Sequence, residues 1–307
     1  MAEELRGASV AAALTEALSI RAAALAERGI LPTLAILRLG ERADDLAYER
    51  AALKRAEKIG IAVRQIALSR NASQHDVDET IRDISSDPHI HACLPLRPFP
   101  EGLNEAAALA ALSPDKDVDC ATDAMLLATL TGRPDALAPC TAEAVIAILD
   151  YYGIEITGAR VAVVGRSNVI GRPVAALLTA RDATVTVCHS RTVDVSAITR
   201  EAEVLVVAAG QAHMIGANHV SSSQTVIDVG INWDEKSQRL VGDVDTEAIK
   251  DIVAAYTPVP GGVGSVTTAI LAKHVIEAAE RAAEEAARAA RVAHGTAERT
   301  EASWRKR

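Results

Sequence analysis

The chain has 307 residues, of which 49% are apolar, 24% are charged and only 2% are aromatic, and its formal net charge is −9. At about 150 residues per domain, this length predicts two domains, with cores built from Ala, Val, Leu and Ile. The acidic balance and the scarcity of aromatic side chains argue against a nucleic-acid partner, which requires a basic face or flat stacking surfaces.

The sequence carries no sign of export or membrane insertion. Its first residues, MAEELRG, are acidic, unlike the basic start of a signal peptide, and no apolar run approaches the roughly 20 residues of a membrane span. The four cysteines lie far apart, and the histidines are scattered without metal-ligand spacing. We therefore expect a cytoplasmic protein that binds no metal.

Apolar residues in the first half alternate between helical and strand spacing. The predicted elements are a helix at 9–28, a strand at 33–39, a helix at 43–59 closed by Gly60, a strand at 61–68, a helix at 74–86 and a strand at 89–96. Strands that alternate with helices form a parallel sheet covered on both faces, so the fold class is α/β. A helix at 141–152 is predicted to bridge to a second unit.

The second unit has the element order of a Rossmann-type fold. The predicted elements are a strand at 160–164, a helix at 172–179, a strand at 184–187, a helix at 195–202 and strands at 204–208 and 225–229. After Pro260, an apolar helix at 267–278 runs into an Ala/Glu/Arg-rich extension. We expect this extension to continue as a solvated helix and to fray from Gly295 to Arg307.

The first strand of the second unit ends in a glycine turn, GRSNVIGRP, at residues 165–173. Glycine lets the backbone approach a pyrophosphate, and the free amides at the start of the next helix attract its charge. Pro173 fits the first helical turn, where an N–H has no helical partner. The spacing is not GxGxxG, so a purely structural turn remains an alternative.

The next strand ends in CHSRT, at residues 188–192. NAD-specific sites carry an acid near this point for the ribose 2′-hydroxyl. Here Ser190 and Arg191 stand instead, and a guanidinium presents a forked cation that suits a 2′-phosphate. The pattern therefore favours NADP over NAD, with a solvated surface arginine as the alternative.

Several motifs together resemble the bifunctional methylenetetrahydrofolate dehydrogenase/cyclohydrolase family. They are PDKDVD (114–119), PCT (139–141), VVGRSNVIGRPVAALL (163–178), CHSRT (188–192), VIDVGIN (226–232), VGDV (241–244) and TPVPGGVGSVTTAIL (257–271). The resemblance implies an N-terminal α/β domain with a parallel sheet at 1–140, completed by residues 270–307. It also implies a Rossmann-type NADP-binding domain at 141–269, with a folate cleft between the two domains.

The chemistry that the resemblance implies is hydride transfer from 5,10-methylenetetrahydrofolate to NADP⁺, followed in the family by hydrolysis of the methenyl product. Tyr48 would line the folate and Asp119 would hold the pterin ring, while Pro260, Gly261 and Gly262 would bracket the cleft. The implied cofactor contacts are Gly165, Arg166, Ser167, Gly171, Ser190, Arg191 and Ile231. A homodimer paired through the Rossmann domain is also expected.

The chain departs from the family pattern at the catalytic helix. In the family a lysine lies four residues after this tyrosine, whereas here Ala52 lies four residues after Tyr48. Gly60 ends the helix at the same distance from the tyrosine as in the family. Lys54 is rotated about 200° around the helix from position 52, and Arg55 stays protonated and cannot act as a general base. We therefore predict that cyclohydrolase activity is weak or lost.

Three further departures alter the predicted folate cleft. The family's Gln-Leu-Pro-Leu begins here with Cys93, so the glutamine that pairs with the lysine is also missing. Cys120 replaces the glycine after Asp119 and is expected to crowd the cleft or shift the backbone, and Ser265 stands in the place of a proline.

Two alternatives remain open. One is an enzyme for another one-carbon adduct or a modified folate, with Cys93, Cys120 and Ser265 lining its pocket. The other is a non-catalytic NADP- or folate-binding protein.

Overall fold

A computed structural model describes residues 2–235 and 238–304, which form two parallel sheets with helices packed around them. The elements of the first half are β1 (Glu3–Glu4), α1 (Gly7–Glu27), β2 (Thr33–Leu39), α2 (Ala43–Ile59), β3 (Ala62–Leu68), α3 (Gln74–Ser86), β4 (Ala92–Pro95), α4 (Glu105–Leu109), α5 (Asp123–Leu130) and α6 (Cys140–Tyr151). The elements of the second half are β5 (Arg160–Val164), α7 (Gly171–Thr179), β6 (Thr184–Cys188), α8 (Val195–Glu201), β7 (Val204–Val207), β8 (Thr225–Asp228), β9 (Asn232–Asp234), β10 (Arg239–Val241), α9 (Thr246–Ile249), β11 (Ala255–Tyr256) and α10 (Thr267–Trp304).

The first sheet has the order β3-β2-β4, and all its pairings are parallel. Successive residues of a strand face opposite sides of a sheet. Leu34 and Ile36 accordingly belong to a core shared with α1, α2, α6 and α10, whereas Ala35 and Leu37 face a second core formed with α3 and α4. The carboxyl ends of β2 and β4 therefore open at one edge of the first unit.

The second sheet has the order β1-β11-β8-β7-β5-β6 and is also parallel. The chain passes from β5 to β6 on one side and then crosses to β7 on the other. The strand order reverses at β5, and a crevice at the carboxyl ends of the strands is where such sheets bind ligands. An antiparallel hairpin of β9 and β10 follows β8.

The long predicted elements are confirmed, and their ends differ by a few residues at most, because each combines a clear apolar period with a defined stop. Helix α2, for example, ends at Gly60 in a left-handed conformation (φ 91°). The structure adds short elements that were not predicted, including α4, α5, α9 and the hairpin. It also pairs β1 with β11, so the first residues of the chain extend the second sheet. The boundaries 1–140, 141–269 and 270–307 remain a prediction.

Two expectations about helices need correction. The predicted fraying from Gly295 is wrong, because α10 continues to Trp304; Ala, Glu and Arg are strong helix formers and carry the helix past one glycine. Residues 305–307 lie outside the described residues. Helix α1, in turn, is long and apolar enough to cross a membrane, with a mean hydropathy of 1.3. It packs against α2 and α10, where Arg21 pairs with Glu280.

Candidate functional site

A cleft of about 660 Å³ lies where the first unit meets the glycine turn of the second. Its walls are formed by the start of α2, the carboxyl end of β4, the segment from Asp119 to α5 and the turn after β5. The lining residues include Arg42, Asp44, Asp45, Tyr48, Leu94, Pro95, Leu96, Arg97, Glu105, Asp119, Cys120, Asp123, Leu126, Asn168 and Val169. The cleft therefore joins the predicted folate residues to the predicted phosphate turn.

Asp119 and Tyr48 face this cleft together. The Asp119 carboxylate accepts a hydrogen bond from the Cys140 amide at 3.1 Å, at the positive end of α6. Burial raises the pKa of Asp119, although the Cys140 donors and the charge of His274 oppose that rise. Burial also raises the pKa of Tyr48, whose hydroxyl pairs with Thr267. The site thus offers an anchoring carboxylate beside a neutral phenol.

Helix α2 carries the departure from the family's catalytic motif, and Ala52 does not line the cleft. Ala52 lies one turn beyond Tyr48 and is 3% exposed within the first core, so its methyl group contributes only packing. Lys54 is exposed and does not line the cleft. Arg55 is held away from the cleft by Thr15 and Thr268. Among the described residues, those that line the cleft include no lysine.

Cys93 lies outside the cleft, although its neighbours Leu94 and Pro95 line it. Its thiol faces the second core with Ala35, on the opposite side of the sheet from Ala52. Burial raises the pKa of Cys93 to about 12, and the Asp117 carboxylate adds to the shift. The thiol is therefore neutral and inert at physiological pH.

Cys120 does require the expected backbone adjustment, since its φ is 55° and left-handed. Cys120 lines the cleft, and its thiol lies 3.8 Å from the Thr129 hydroxyl. Burial raises the pKa of this thiol to about 12. The pocket expected to combine Cys93, Cys120 and Ser265 is not formed, because Ser265 lines a separate pocket and Cys93 lines neither.

That separate pocket, which we call the loop pocket, has a volume of about 250 Å³ and lies beside β8. Its lining residues include Asp228, Ile231, Leu240, Pro260, Gly261, Gly262 and Ser265. The loop at residues 258–265, which forms one wall of this pocket, is tied to the start of α1. The Gly7 amide donates to the Gly261 carbonyl at 2.9 Å. A Cβ on Gly7 would lie only 2.1 Å from the Gly262 carbonyl oxygen, so residue 7 must be glycine. The predicted bracketing loop lines this pocket, and Thr267, which follows the loop, pairs with the Tyr48 hydroxyl at the cleft.

The glycine turn after β5 fits a dinucleotide phosphate. A Cβ on Gly165 would lie 2.1 Å from the Ala208 carbonyl oxygen, and one on Gly171 would lie 2.3 Å from the Gly165 carbonyl oxygen. The Ser167 hydroxyl accepts hydrogen bonds from the amides of Ile170 and Gly171. Within the described part of the chain, the amides of residues 166–169 donate to no protein acceptor. These exposed donors suit an anion.

The predicted 2′-phosphate residues lie beside this turn. The Gly165 amide donates to the Cys188 carbonyl at 2.9 Å, so the ends of β5 and β6 are adjacent. Ser190 and Arg191 follow β6 and are exposed, as is Arg166. Across residues 2–235 and 238–304, neither Arg166 nor Arg191 has a carboxylate within 4.0 Å. Both guanidiniums are therefore available to a ligand phosphate.

The structure also reveals two buried carboxylates that sequence reasoning missed. Asp243 is 0% exposed and accepts from the amides of Ala209, Gly210 and Gln211 at 2.6–2.8 Å. Asp228 accepts from three further amides, and burial raises its pKa to about 7. The two carboxylates fix the loops after β7 and β8, at the crevice where the strand order reverses. In the sequence, the aspartates close to glycine in VIDVGIN (226–232) and VGDV (241–244) could have indicated these two carboxylates.

A parallel doubly wound sheet with a phosphate-binding turn at its reversal point defines an NAD(P)-binding protein, here joined to a second α/β unit across a cleft. The comparisons agree with this class. Residues 5–119 match the catalytic domain of tetrahydrofolate dehydrogenase/cyclohydrolase, and residues 139–283 match its NAD(P)-binding domain. The chain therefore belongs to the tetrahydrofolate dehydrogenase/cyclohydrolase family. In the described residues, no group of three or more His, Cys, Asp or Glu side chains could hold a metal ion.

Similar proteins cover nearly the whole chain. The bifunctional protein FolD of Clostridioides difficile is 43% identical over 274 residues, which are 89% of this chain and 95% of that protein. The FolD structure from Campylobacter jejuni superposes with a TM-score of 0.88 at 32% identity, covering 92% of this chain and 99% of the other. The Trypanosoma brucei FolD structure, a complex with NADP and an inhibitor, has a TM-score of 0.85 at 34% identity, covering 92% and 98% of the two chains.

Proposed function

We propose that this protein oxidises 5,10-methylenetetrahydrofolate to 5,10-methenyltetrahydrofolate with NADP⁺ and has little or no cyclohydrolase activity. The observation that carries the proposal is the composition of the cleft. Tyr48 and Asp119 face it together, next to the phosphate turn, while the position one helical turn beyond Tyr48 carries the buried methyl group of Ala52. Family membership supplies the reaction class, and the composition of the cleft supports hydride transfer without the hydrolytic step.

The folate half of the site is assigned to Asp119 and Tyr48. The Asp119 carboxylate, anchored on the Cys140 amide, accepts hydrogen bonds from the amino-pyrimidine edge of the pterin and so sets the ring orientation. Tyr48 lines the face of the bound folate. Because nitrogen lone pairs stabilise the methenyl cation as it forms, hydride transfer depends on the alignment of the two reactants more than on acid–base catalysis.

The cofactor half is assigned to the crevice of the second sheet. NADP⁺, when bound, accepts the hydride from the methylene carbon. Gly165, Ser167 and Gly171 shape the turn that receives the pyrophosphate. Ser190 and Arg191 bind the 2′-phosphate, with Arg166 adding positive charge. We assign Ile231, which is exposed at the loop pocket, to the nicotinamide end.

Loss of the hydrolytic step follows from proton chemistry. Hydrolysis of the methenyl group requires a base that activates water and an acid that returns a proton. The neutral Tyr48 phenol is not a base at physiological pH, and Lys54 and Arg55 are directed elsewhere. Position 52 can neither accept nor donate a proton. Hydride transfer is therefore retained without the group that hydrolysis needs.

Two absorbance assays on the purified protein test this proposal. With methylenetetrahydrofolate and NADP⁺, NADPH absorbance should rise, and Asp119→Asn should raise the KM for the folate while the KM for NADP⁺ stays unchanged. With methenyltetrahydrofolate alone, the methenyl absorbance should fall no faster than in buffer. Hydrolysis well above the buffer rate, or no NADPH formation, would overturn the corresponding half of the proposal.

One observation favours a second candidate, an enzyme for a modified folate or another one-carbon adduct. Cys120, whose φ of 55° is left-handed, lines the cleft beside Asp119, where the family carries a glycine. Methylenetetrahydrofolate and related one-carbon adducts, compared in the same NADPH assay, separate the two candidates. Activity only with another adduct supports the second candidate. Tight NADP binding without turnover on any adduct supports a non-catalytic binding protein.

We further propose that the protein forms a homodimer in the cytoplasm. The outer edge of the second sheet is strand β6, whose Val187 is 38% exposed beside Leu130 of α5, at 41%. An unpaired edge strand with apolar neighbours supports pairing with a second copy. All four cysteines are free thiols, which supports a reducing compartment. Light scattering of the purified protein and of Val187→Lys tests the pairing, and the variant should be monomeric.

A further inference from the structure

A buried histidine lies directly behind the folate-binding carboxylate. His274, on α10, is 0% exposed. Its Nδ1 lies 2.8 Å from the Val118 carbonyl oxygen, and its Nε2 lies 2.7 Å from a carboxylate oxygen of Glu143, on α6. The sequence places His274 and Glu143 131 residues apart and gave no reason to pair them.

The nearest partner of each ring nitrogen of His274 is an atom that only accepts hydrogen bonds, since the Cys140 thiol lies farther from Nδ1, at 3.8 Å. A carbonyl oxygen has no proton to give, and Glu143 is held as a carboxylate by Lys273 as well as by His274. A neutral imidazole could satisfy only one of these two contacts. The geometry therefore requires an imidazolium, with one N–H donated to each acceptor.

The contacts of this imidazolium converge on Asp119. The carbonyl that it binds belongs to the residue immediately before Asp119. Cys140 lies between them: its amide donates to the Asp119 carboxylate at 3.1 Å, and its Sγ lies 3.8 Å from His274 Nδ1. Cys140 and Glu143 also share the first turn of α6. The imidazolium thus links α6 and α10 to the segment that presents the carboxylate.

We propose that His274 is a positioning residue for the folate site. Held charged by Glu143 and the Val118 carbonyl, it fixes the peptide that presents Asp119 and keeps that carboxylate ionised for the pterin edge. This role rests on the proposed function, because it concerns the residue assigned there to bind the pterin.

The charge of His274 acts on the titratable and charged groups that surround it. The titratable and charged groups around it are Glu143 and Cys140 on α6, Lys273 and Glu277 on α10, and Asp117 and Asp119 on the segment after β4. Burial opposes protonation of His274, but the Glu143 carboxylate outweighs it and raises the imidazole pKa. Loss of this cation therefore makes ionisation of the buried Asp119 harder.

The test compares pH profiles of kcat/KM for the folate in His274→Asn, Glu143→Gln and the unaltered protein. Because an opposite charge near a carboxyl lowers its pKa, each variant should move the acid limb upward by about half to one pH unit and raise the folate KM at pH 6 by roughly 3- to 10-fold. The KM for NADP⁺ should stay unchanged. Lys250→Gln breaks an exposed ion pair outside this cluster, that with Glu247 of α9, and should leave the profile in place.

Folded, active variants whose acid limb does not move, or whose two KM values rise equally, would overturn the proposal. If the variants do not fold, the ring nitrogens of the unaltered full chain, labelled with ¹⁵N-histidine, decide it. One imidazole of the eight must remain doubly protonated at pH 7.5, and its absence overturns the proposal. Failure of the proposed function is separate, as it would leave the unaltered protein forming no NADPH. The comparison is then made on tetrahydrofolate binding by calorimetry, where unchanged affinity in the variants overturns the positioning role.

Discussion

The carboxylate of Asp243 occupies the space that a side chain on Gly230 would need. A Cβ at position 230 would lie 2.2 Å from Asp243 Cγ. The carboxylate cannot retreat, because the three amides of residues 209–211 and the Asn232 side chain hold it from the other side. The glycine and the acid are therefore a matched pair that sets the distance between the loops after β7 and β8.

Gly230→Ala should accordingly cost about 3 kcal/mol of stability, since overpacking against a fixed group strains the backbone, and it should raise the KM for NADP⁺. Thermal unfolding and NADPH assays measure the two effects. Gly216→Ala is the matched control, because a Cβ at position 216 meets nothing within 4 Å. Equal stability of the two variants would contradict the pairing of Gly230 with Asp243.

Restoring an amine one turn from Tyr48 should restore hydrolysis. Ala52→Lys places a side chain on the Tyr48 face of α2, and the variant should hydrolyse methenyltetrahydrofolate faster than the unaltered protein. Lys54→Ala removes the exposed ammonium two residues away and should change neither activity. A large loss of dehydrogenase activity in Lys54→Ala would place that ammonium at the reaction and contradict the assignment.

Position 93, where the family carries a glutamine and this chain carries a cysteine, is tested by a separate variant. Cys93→Gln alone should lose about 1–3 kcal/mol of stability, because a larger polar group enters the core opposite Ala52. Combined with Ala52→Lys, it should raise hydrolysis above the single lysine variant only if the amide reaches the new ammonium across the end of β4. Stopped-flow decay of the methenyl absorbance compares the three proteins.

Selectivity for NADP should depend on Arg191. A charge-assisted hydrogen bond contributes about 1.5–3 kcal/mol, so Arg191→Ala should raise the KM for NADP⁺ by roughly 10- to 100-fold and leave the KM for NAD⁺ almost unchanged. Arg181→Ala is a suitable control, because Arg181 pairs with Asp150 at the amino end of β6. An equal change toward both cofactors would argue against a 2′-phosphate contact.

Stability should depend on pH through the Glu143–His274 pair. Burial opposes ionisation of Glu143, but His274 and Lys273 lower its pKa from 4.5 to about 2, so its contribution is present above pH 4.5 and is lost as the pH falls toward 2. The pKa of His274 is raised above 6.5, so its contribution is complete below pH 6.5 and is lost as the pH rises through the folded-state value.

The unaltered protein should therefore exceed Glu143→Gln in stability most strongly between pH 4.5 and 6.5, by about 3 kcal/mol. Urea unfolding at pH 3, 5.5 and 9 measures the difference, which should narrow at both extremes. A difference that does not vary with pH would mean that packing, and not charge, holds Glu143 in place.

Local regularities explain what the sequence could predict. Strands β2 and β5 are mostly apolar, α2 ends at a glycine, and GRSNVIGRP combines the turn after β5 and the start of α7 in nine residues. The position of residue 52 on the Tyr48 side of α2 was predictable because helix geometry relates residues four apart. These features depend on neighbours along the chain.

The features that were missed depend on contacts between distant segments. Strands β1 and β11 have two residues each, too few to show a period, and they exist because they pair across 252 positions, Glu3 with Ala255. The partners of His274 come from α6 and from the segment after β4. The side of the sheet that Cys93 faces was likewise settled by the pairing of β4 with β2.

The pairing of Glu3–Glu4 with Ala255–Tyr256 protects one edge of the second sheet. It covers the outer backbone of β11, which would otherwise offer unpaired amides and carbonyls to any extended peptide. Removal of residues 2–5 should uncover that edge and make the protein self-associate at concentrations where the intact chain does not. An affinity tag fused at the carboxyl terminus should leave the pairing of β1 with β11 intact.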